Sequence, residues 1–391
     1  MSICDVPLEE KPDYGDDHIK IFLLEGAIST TGALISAREM ARLLGNYAEV
    51  TLVLPETAKI AETELVDFDA VHRLPIRPLR RGVKDVVLYL PFLLLAAHRL
   101  RRLMVKEGAD VLLVNDFYLM QGPLLRLLGY RGRMLTWVRI DPGVFGRMGR
   151  VWLALATRAS DRIIAVSQHI QHLLPASAPN DLLYDPVSAE FLPAPVSRSA
   201  AGFHFVFIGN YIEGKGQDVA ITAMADLLQT FPEARLCFHG GDMGLLKSRN
   251  YLASLKQQAR ILGVEAAVTF ADFASSPRFA LEGAFATLNL SRSESFSRTV
   301  LEACACGLPV IATRCGGPEE IIDVGRTGLM VPINDARACA DAMRVLCQDP
   351  ELAARMGAAG RERVLQVFGP ETFALRLRSL IFGSKYITKF N

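Results

Sequence analysis

Short apolar runs alternate with longer amphipathic stretches from one end of the chain to the other. In the first half, Ile19–Leu24, Val50–Leu54, Val111–Asn115, Met134–Val138 and Ile163–Val166 have the length and composition of buried strands. Between them, Thr31–Leu44, Lys84–Lys106 and Phe145–Ala159 repeat their apolar side chains at helical spacing. Pro193–Ala200, rich in Pro, Ser and Ala, reads as a linker. The alternation then restarts with strand candidates Phe203–Ile208, Arg235–His239, Ala267–Phe270, Ala284–Leu290, Pro309–Ala312 and Gly328–Val331. Their helical partners are Gln217–Thr230, Leu245–Leu262, Arg298–Cys306 and Ala336–Gln348, and Glu351 to Phe382 is helical in pattern. Strands that alternate with helices predict parallel sheets covered on both faces. Two such series predict an α/β chain of two doubly wound domains facing one another. The expected division is 1–193, 201–365 and a C-terminal helical segment, 366–391, that crosses back to the first domain.

A chain of 391 residues suits two such domains. Lys and Arg total 43 against 42 for Asp and Glu, which excludes a global field that would recruit nucleic acid. Locally the balance is uneven. Residues 1–69 carry 5 basic and 14 acidic side chains, a net of −9, and residues 70–165 carry 17 and 6, a net of +11. Seven cysteines without a C-x-x-C pair read as reduced thiols in a cytoplasmic protein. Met1 to Asp17 is too polar and acidic for a secretory signal. The longest apolar run, Val86 to Ala97, has 12 residues where a bilayer span needs about 20.

Ligands of doubly wound sheets lie beyond the carboxyl ends of the strands, so the loops there are where chemistry is sought. The loop after Phe203–Ile208 runs Gly209-Asn210-Tyr-Ile-Glu-Gly214-Lys215-Gly216 into a helix. Glycines admit a ligand close to the backbone, the helix start offers free N–H groups, and a lysine adds a charge suited to phosphate. The string has the G-x4-G-K of a P-loop, but Gly216 stands where the magnesium-binding Ser or Thr belongs. The loop after Ala284–Leu290 holds Glu294, with Glu302 in the first turns of the next helix and Phe296 to Thr299 at its N-terminus. Glu302 lies among Val300, Leu301, Ala303 and Ala305, where an unpaired carboxylate is costly, so a donor partner is expected. Two carboxylates flanking an anion-binding helix terminus suit a nucleotide-sugar, with hydroxyls at both ends and a diphosphate between. A third loop, Thr313-Arg-Cys-Gly316-Gly317-Pro318-Glu319, has paired glycines before a helix start.

Together these loops resemble the retaining glycosyltransferases of family 4, which have the GT-B fold: two Rossmann-like domains facing a central cleft. Glu294 and Glu302 match the family's E-x7-E pattern, and Gly209, Lys215 and Gly216 its G-x5-K-G loop. The resemblance implies that Glu302 holds the ribose and Glu294, taken with Lys215 as catalytic, a donor-sugar hydroxyl. Lys215 and the N–H groups of Ser297, Arg298 and Thr299 would bind the diphosphate, with Gly209, Asn210, Gly216 and Phe296 lining the donor. Phe270 to Phe273 would flank the base, Phe273 as the donor-binding side chain. It implies a donor that is a substrate, no cofactor and no metal. Asp67-Phe68-Asp69 matches D-x-D by letter, and His169 and His172 share a helix face, but both read as surface features. Asn210 departs from the family's usual Arg, so Arg298 or Arg314 is expected to supply that charge.

In the first domain the resemblance is weaker. Thr31-Gly32-Ala33 would turn toward the diphosphate, placing Gly32 with the donor residues. Asp141 is the expected acceptor-side catalytic residue, with Arg139 and Asp116 beside the acceptor, although each aspartate also suits a cap or turn. From Arg77 to Lys106 there are 8 basic residues and 1 acidic one around Tyr89, Phe92, Leu93 and Leu94. That pattern suits either a core helix or a segment lying on an anionic membrane at the inner face of the cytoplasmic membrane. The expected reaction is transfer of a hexose from a nucleoside-diphosphate sugar to a glycan or lipid-linked sugar, in bacterial surface polysaccharide biosynthesis. A nucleotide-sugar epimerase of the same architecture, a weakly active nucleotide-sugar-binding partner subunit and a P-loop nucleotidase remain as alternatives.

Overall fold

The computed structural model describes residues 19–45, 47–77, 83–198, 202–273 and 276–383. Met1–Asp17, the Arg80-Arg81 pair and the end of the Pro193–Ala200 stretch lie outside them. The chain forms two compact units. The first runs to Val166, adds Ile170–Leu183 and resumes at Ala374, and the second holds Ser167–His169 and Tyr184–Phe373.

The first unit is a seven-stranded parallel sheet in the order β3-β2-β1-β4-β5-β6-β7. Its strands are β1 (Ile19–Leu24), β2 (Ala48–Pro55), β3 (Ala70–Leu74), β4 (Val111–Val114), β5 (Arg133–Val138), β6 (Arg162–Ala165) and β7 (Asn180–Leu182). Its helices are α1 (Gly32–Leu44), α2 (Val83–Glu107), α3 (Gln121–Leu127) and α4 (Gly146–Ala159), with α5 (Gln168–Leu173) at its edge. Thr31 caps α1, its Oγ1 accepting the Leu34 N–H at 3.2 Å. Leu34, Ala37, Met40, Ala41 and Leu44 recur on one face of α1, and all are buried. On α2, Ala96, Leu100 and Met104 pack with Phe22, Leu24, Leu112, Val114 and Met134 of the sheet. Ile21 pairs with Val50 on one side and Val111 on the other, so the strand order reverses between β1 and β4. The edge strands β3 and β7 escape a hydrophobic reading because one carries His72 and Arg73 and the other reads Asn-Asp-Leu.

The second unit is a six-stranded parallel sheet in the order β10-β9-β8-β11-β12-β13. It comprises β8 (His204–Ile208), β9 (Arg235–His239), β10 (Val268–Ala271), β11 (Ala286–Asn289), β12 (Val310–Thr313) and β13 (Gly328–Val331). The helices are α6 (Gln217–Leu227), α7 (Leu246–Ile261), α8 (Pro277–Leu281), α9 (Arg298–Ala305), α10 (Pro318–Ile321), α11 (Ala336–Gln348) and α12 (Pro350–Val367). Phe205, Phe207, Phe238 and Leu288 pack with Ile221 and Met224 of α6 and Met343 and Leu346 of α11. Here the order reverses between β8 and β11.

Two boundaries differ from the sequence reading. Tyr184–Pro193 packs with the second unit: the Val187 N–H reaches the Phe368 carbonyl at 2.9 Å, and Arg361 donates to the Phe191 and Leu192 carbonyls at 3.0 and 2.5 Å. The long C-terminal helical pattern is two helices, α12 and α13 (Pro370–Phe382), because the residue before a proline is pushed out of helical conformation. From Ala374 onward α13 belongs to the first unit, where Arg133 donates to the Leu380 carbonyl at 2.7 Å and Arg378 lies over the Tyr47 ring.

Candidate functional site

The carboxyl edge of the second sheet collects the residues of the three loops where its strand order reverses. Gly216 starts α6 with φ +87°, and a Cβ there would lie 2.1 Å from the Leu290 carbonyl oxygen, so the Lys215 loop closes against the end of β11 only with glycine at this position. The closure brings Lys215 Nζ to 2.7 Å from Glu294 Oε1. The same carboxylate oxygen accepts the Ser291 hydroxyl at 2.7 Å, and Thr313 fixes that loop by donating to the Ser291 carbonyl at 2.5 Å. Glu294 is held by its backbone too. Its N–H reaches the Cys315 carbonyl at 3.1 Å, and its own carbonyl accepts the Gly317 N–H at 2.8 Å. A Cβ on Gly317 would meet Phe296 Cα at 2.5 Å, which accounts for the glycine pair of the third loop.

Ser297 and Thr299 stand at the N-terminus of α9, and Asn289 donates to both hydroxyls at 3.0 Å. Ser297 itself caps none of the first-turn N–H groups of α9 with its side chain. The dipole end of α9 and the Lys215 ammonium are thus the positive elements of one strand-end region. Deeper in α9, Glu302 is buried and accepts Arg298 Nη2 at 3.1 Å, while Arg298 also donates to Ser188 Oγ at 2.9 Å. Burial pushes the Glu302 carboxyl up, Arg298 counters it, and Glu190 adds to the upward push. The donor partner expected for Glu302 is therefore Arg298. That arginine is committed to Glu302, whereas Arg314, exposed beyond β12, has no side-chain ion pair among the described residues.

The remaining donor-side residues separate into two groups. Gly209 and Asn210 follow β8. The Asn210 carbonyl accepts Gln217 Nε2 at 3.0 Å, and its amide oxygen lies beside Gly241. Phe273 is half-exposed next to that glycine. The Phe296 ring, in contrast, turns into an aromatic cluster with Tyr184 and Phe368, centroids 5.7 Å from each, so its side chain belongs to the core and only its backbone borders the site. Phe270 likewise stacks on Phe238 at 5.2 Å. Asn289, Ser291, Gln217, Gly240 and Gly241 are participants that the motif spacing did not single out. Asn289 and Gln217 were traceable as polar side chains at a strand end and a helix start.

The carboxyl edge of the first sheet has a different character. Glu25, Asn115, Asp116 and Arg139 follow β1, β4 and β5, and all four are buried. Asn115 donates from Nδ2 to Glu25, the Ala27 N–H reaches the other Glu25 oxygen at 2.8 Å, and Arg139 Nε meets Asn115 Oδ1 at 2.6 Å. The Arg139 guanidinium lies over Trp137, 3.8 Å from the ring centroid. Asp116 adopts φ +142°, a strained backbone for a non-glycine residue, and its Oδ1 accepts the Phe117 N–H at 2.9 Å. Burial pushes the Asp116 carboxyl up to about 8, against the pull of the Phe117 and Arg139 N–H groups and the Arg139 charge. Glu25 is raised for the same first reason. Glu25 carried no sequence signal beyond its place after a strand. Asp141 caps a short 3-10 turn, Pro142–Phe145, by accepting the Gly143 N–H at 2.7 Å, and Gly32 opens α1 behind the Thr31 cap. Among the described residues no three His, Cys, Asp or Glu side chains cluster as metal ligands.

Two doubly wound α/β units place this chain in the GT-B fold class, and solved structures share that fold. Against HepE of Anabaena in complex with UDP and glucose the TM-score is 0.79 at 20% identity, covering 94% of this chain and all of that one. Against the sucrose-phosphate synthase of Thermosynechococcus elongatus it is 0.77 at 21%, covering 95% and 99%. At these identities the likeness establishes the fold alone. Residues 196–363 match the model of the family described as glycosyl transferases group 1, so the second unit is similar to that family over nearly its whole length. A GDP-mannose-dependent alpha-(1-6)-phosphatidylinositol monomannoside mannosyltransferase of Mycolicibacterium smegmatis is 34% identical over 190 residues, 46% of this chain and 48% of that protein. A D-inositol 3-phosphate glycosyltransferase of Corynebacterium jeikeium is 36% identical over 157 residues, 39% and 36% of the two chains. The matches thus span about half or less of those relatives' lengths.

Proposed function

We propose that the chain is a hexosyltransferase that moves a sugar from a nucleoside-diphosphate sugar to a hydroxyl of a glycan or lipid-linked acceptor, with retention at the anomeric carbon and without a metal. The observation that carries this reading is the contact of Lys215 with Glu294 beside the N-terminus of α9, at the strand-order reversal of the unit similar to glycosyl transferases group 1. In this reading the diphosphate takes the Lys215 ammonium and the α9 N–H groups, and Glu294 turns its freed acceptor capacity to a donor-sugar hydroxyl. Glu302 accepts the ribose hydroxyls while Arg298 holds it. The bond from the anomeric carbon to the phosphate oxygen breaks, that oxygen takes the acceptor hydroxyl's proton, and the new glycosidic bond forms on the same face. Positioning and charge stabilisation supply the catalysis.

The relatives named above include a mannosyltransferase whose acceptor is a phosphatidylinositol mannoside, which supports a lipid-linked acceptor. The first unit supports one as well. Leu90, Leu94 and Leu95 on α2, followed by Arg99, and Met148, Val151 and Leu155 on α4, beside Arg147 and Arg150, are exposed, although Leu93 is buried as a core residue. No helix among the described residues is long and apolar enough to cross a membrane. An anionic membrane surface is the partner we propose for this face. Flotation with anionic vesicles at low salt tests it, and a chain left wholly in the unbound fraction contradicts it.

The transferase reading is tested by product formation from nucleotide-sugar and a glycan acceptor in the presence of a chelator. Glu302→Gln is expected mainly to weaken nucleotide binding and Lys215→Ala mainly to lower turnover. Full activity in both contradicts the assignment. Product from the donor alone favours an epimerase, and donor binding without transfer a non-catalytic subunit.

A further inference from the structure

Against the start of α9 the second sheet borders a small cavity of about 10 Å³. Among the side chains lining it are Leu281 of α8, Thr287 and Asn289 of β11, Thr299 and Val300 of α9, and Val310 of β12. Thr287 and Asn289 lie two positions apart on β11, so their side chains share one face of the sheet. Each residue is only 6% exposed. Neither the Thr287 hydroxyl nor the Asn289 amide oxygen has a hydrogen-bond partner among the described residues. The other end of the Asn289 amide is engaged: Nδ2 donates to Ser297 Oγ and to Thr299 Oγ1, each at 3.0 Å.

Cavities that stay dry are apolar, whereas one with polar groups in its walls takes up water. The volume here is that of about one water site, and the Thr287, Asn289 and Thr299 side chains supply the several polar partners that a buried water needs. Water also completes the hydrogen bonding. Thr287 donates its hydroxyl proton to the water, and the water donates one of its own to Asn289 Oδ1. The terminal torsion of an asparagine is broad, so hydrogen bonds from one amide atom alone set its plane loosely. A partner on Oδ1 as well as on Nδ2 fixes that plane, and with it the two hydroxyls at the helix start.

We propose that a buried water occupies this cavity and that Asn289, braced through it by Thr287, is a positioning residue for the diphosphate. The inference rests on reading the start of α9 as the diphosphate-binding part of a nucleotide-sugar site. Ser297 precedes the first helical residue of α9 and Thr299 is the second, so holding their hydroxyls holds the turn where the helix's leading N–H groups gather. Thr287 and Asn289 touch no ligand; they act through the backbone that does. A helix start displaced by a fraction of an ångström meets phosphate oxygens at poorer distances and angles, and its hydrogen bonds weaken accordingly.

The test compares the wild type with Thr287→Val, which keeps the shape and removes the hydroxyl, and Thr287→Ser, which keeps the hydroxyl. Thermal melting and calorimetric titration of the full chain with GDP, UDP and ADP are the readouts. With the water in place, Thr287→Val leaves Asn289 Oδ1 poorly satisfied and is expected to lower the melting temperature by about 2–4 °C. A dry cavity predicts the reverse, because valine then removes an unpaired buried hydroxyl, so an unchanged or raised melting temperature overturns the proposal. Affinity for whichever nucleoside diphosphate the wild type binds is expected to fall about three- to tenfold in Thr287→Val, the range of one lost hydrogen bond. In Thr287→Ser it is expected to stay within about twofold of the wild type. Packing alone gives the opposite ranking, since serine loses a methyl group that valine retains. Undiminished affinity in Thr287→Val, or a serine variant that binds more weakly than the valine variant, therefore overturns the positioning role. A crystal structure of the wild type decides the water even where Thr287→Val fails to fold: density for one water touching Thr287 Oγ1 and Asn289 Oδ1 is expected, and an empty cavity overturns it. If the wild type binds no nucleoside diphosphate, the donor-site reading fails and the positioning role with it, while the density still judges the water.

Discussion

At the carboxyl edge of the second sheet, Lys215 and Glu294 meet at 2.7 Å with side chains 34% and 15% exposed. At the corresponding edge of the first sheet, Glu25, Asn115, Asp116 and Arg139 are each at most 7% exposed and bonded to one another. Both sites hold carboxylates and one cation at the strand-order reversal of a parallel sheet, yet their physics differs. A part-exposed ion pair contributes little stability, so its partners can be exchanged for a ligand's charges at small cost. A buried set must be satisfied internally, and removing one member strands the others in a medium that solvates them poorly. The comparison teaches that position at a strand end does not by itself identify a ligand-binding group. What separates the two sites is how far each is enclosed: the Lys215–Glu294 pair is part-exposed, and the Arg139 cluster is buried.

The largest effect expected from that contrast is structural. Arg139→Ala should lower the unfolding free energy by about 3–5 kcal/mol, because Asn115 and the two buried carboxylates lose their cation, and urea denaturation measures it. If the loss is under about 1 kcal/mol, the cluster does not depend on its arginine as described. Lys215→Ala should act oppositely, with stability changed by less than about 1 kcal/mol but turnover reduced on the order of 10²-fold, the cost of removing one stabilising donor.

A third effect, at most about 2.8 kcal/mol between pH 5 and 7, is a pH dependence in the first unit. Burial raises Asp116 from 3.8 to about 8, so between those values the folded chain keeps a proton that the unfolded chain has lost. Stability from this group is therefore full below about pH 4, declines by at most about 1.4 kcal/mol per pH unit as pH rises, and levels off above about 8. Asp116→Asn should flatten that slope, leaving a remnant of the same sign from Glu25, and denaturation midpoints at pH 5, 6 and 7 would show it. The smallest effect is Asp141→Ala, which should cost about 1 kcal/mol or less, as for other capping side chains.

Much of the second unit was legible before any coordinates. Its strands are near-continuous apolar runs, and its loops carry glycines that close backbone approaches require, so the loops of Lys215, Glu294 and Gly316-Gly317 stood out by spacing, while the roles of Lys215 and Glu294 came from the family resemblance. For Phe296, sequence gives the position of a residue at a helix start but not its rotamer: the backbone borders the strand-end region, while Tyr184 and Phe368, distant in the chain, draw the ring inward. The first unit was less legible for a related reason. Glu25, Asn115 and Arg139 converge from three strands separated by up to 114 positions (Glu25 to Arg139), and no local pattern encodes that meeting. Edge strands β3 and β7 pair mainly through backbone and so leave little trace in hydropathy. The break at Pro370 was visible in the letters, but helical periodicity on both sides of it masked the stop.

The central claim is that the Lys215–Glu294 edge and α9 bind a nucleoside diphosphate. Calorimetric titration of the wild type, Lys215→Ala and Glu302→Gln with GDP, UDP and ADP tests it most directly. The account predicts one-to-one binding of at least one of them, weakened about tenfold or more in Glu302→Gln while the circular dichroism stays that of the wild type. Absence of binding by all three, or undiminished affinity in both variants, contradicts it.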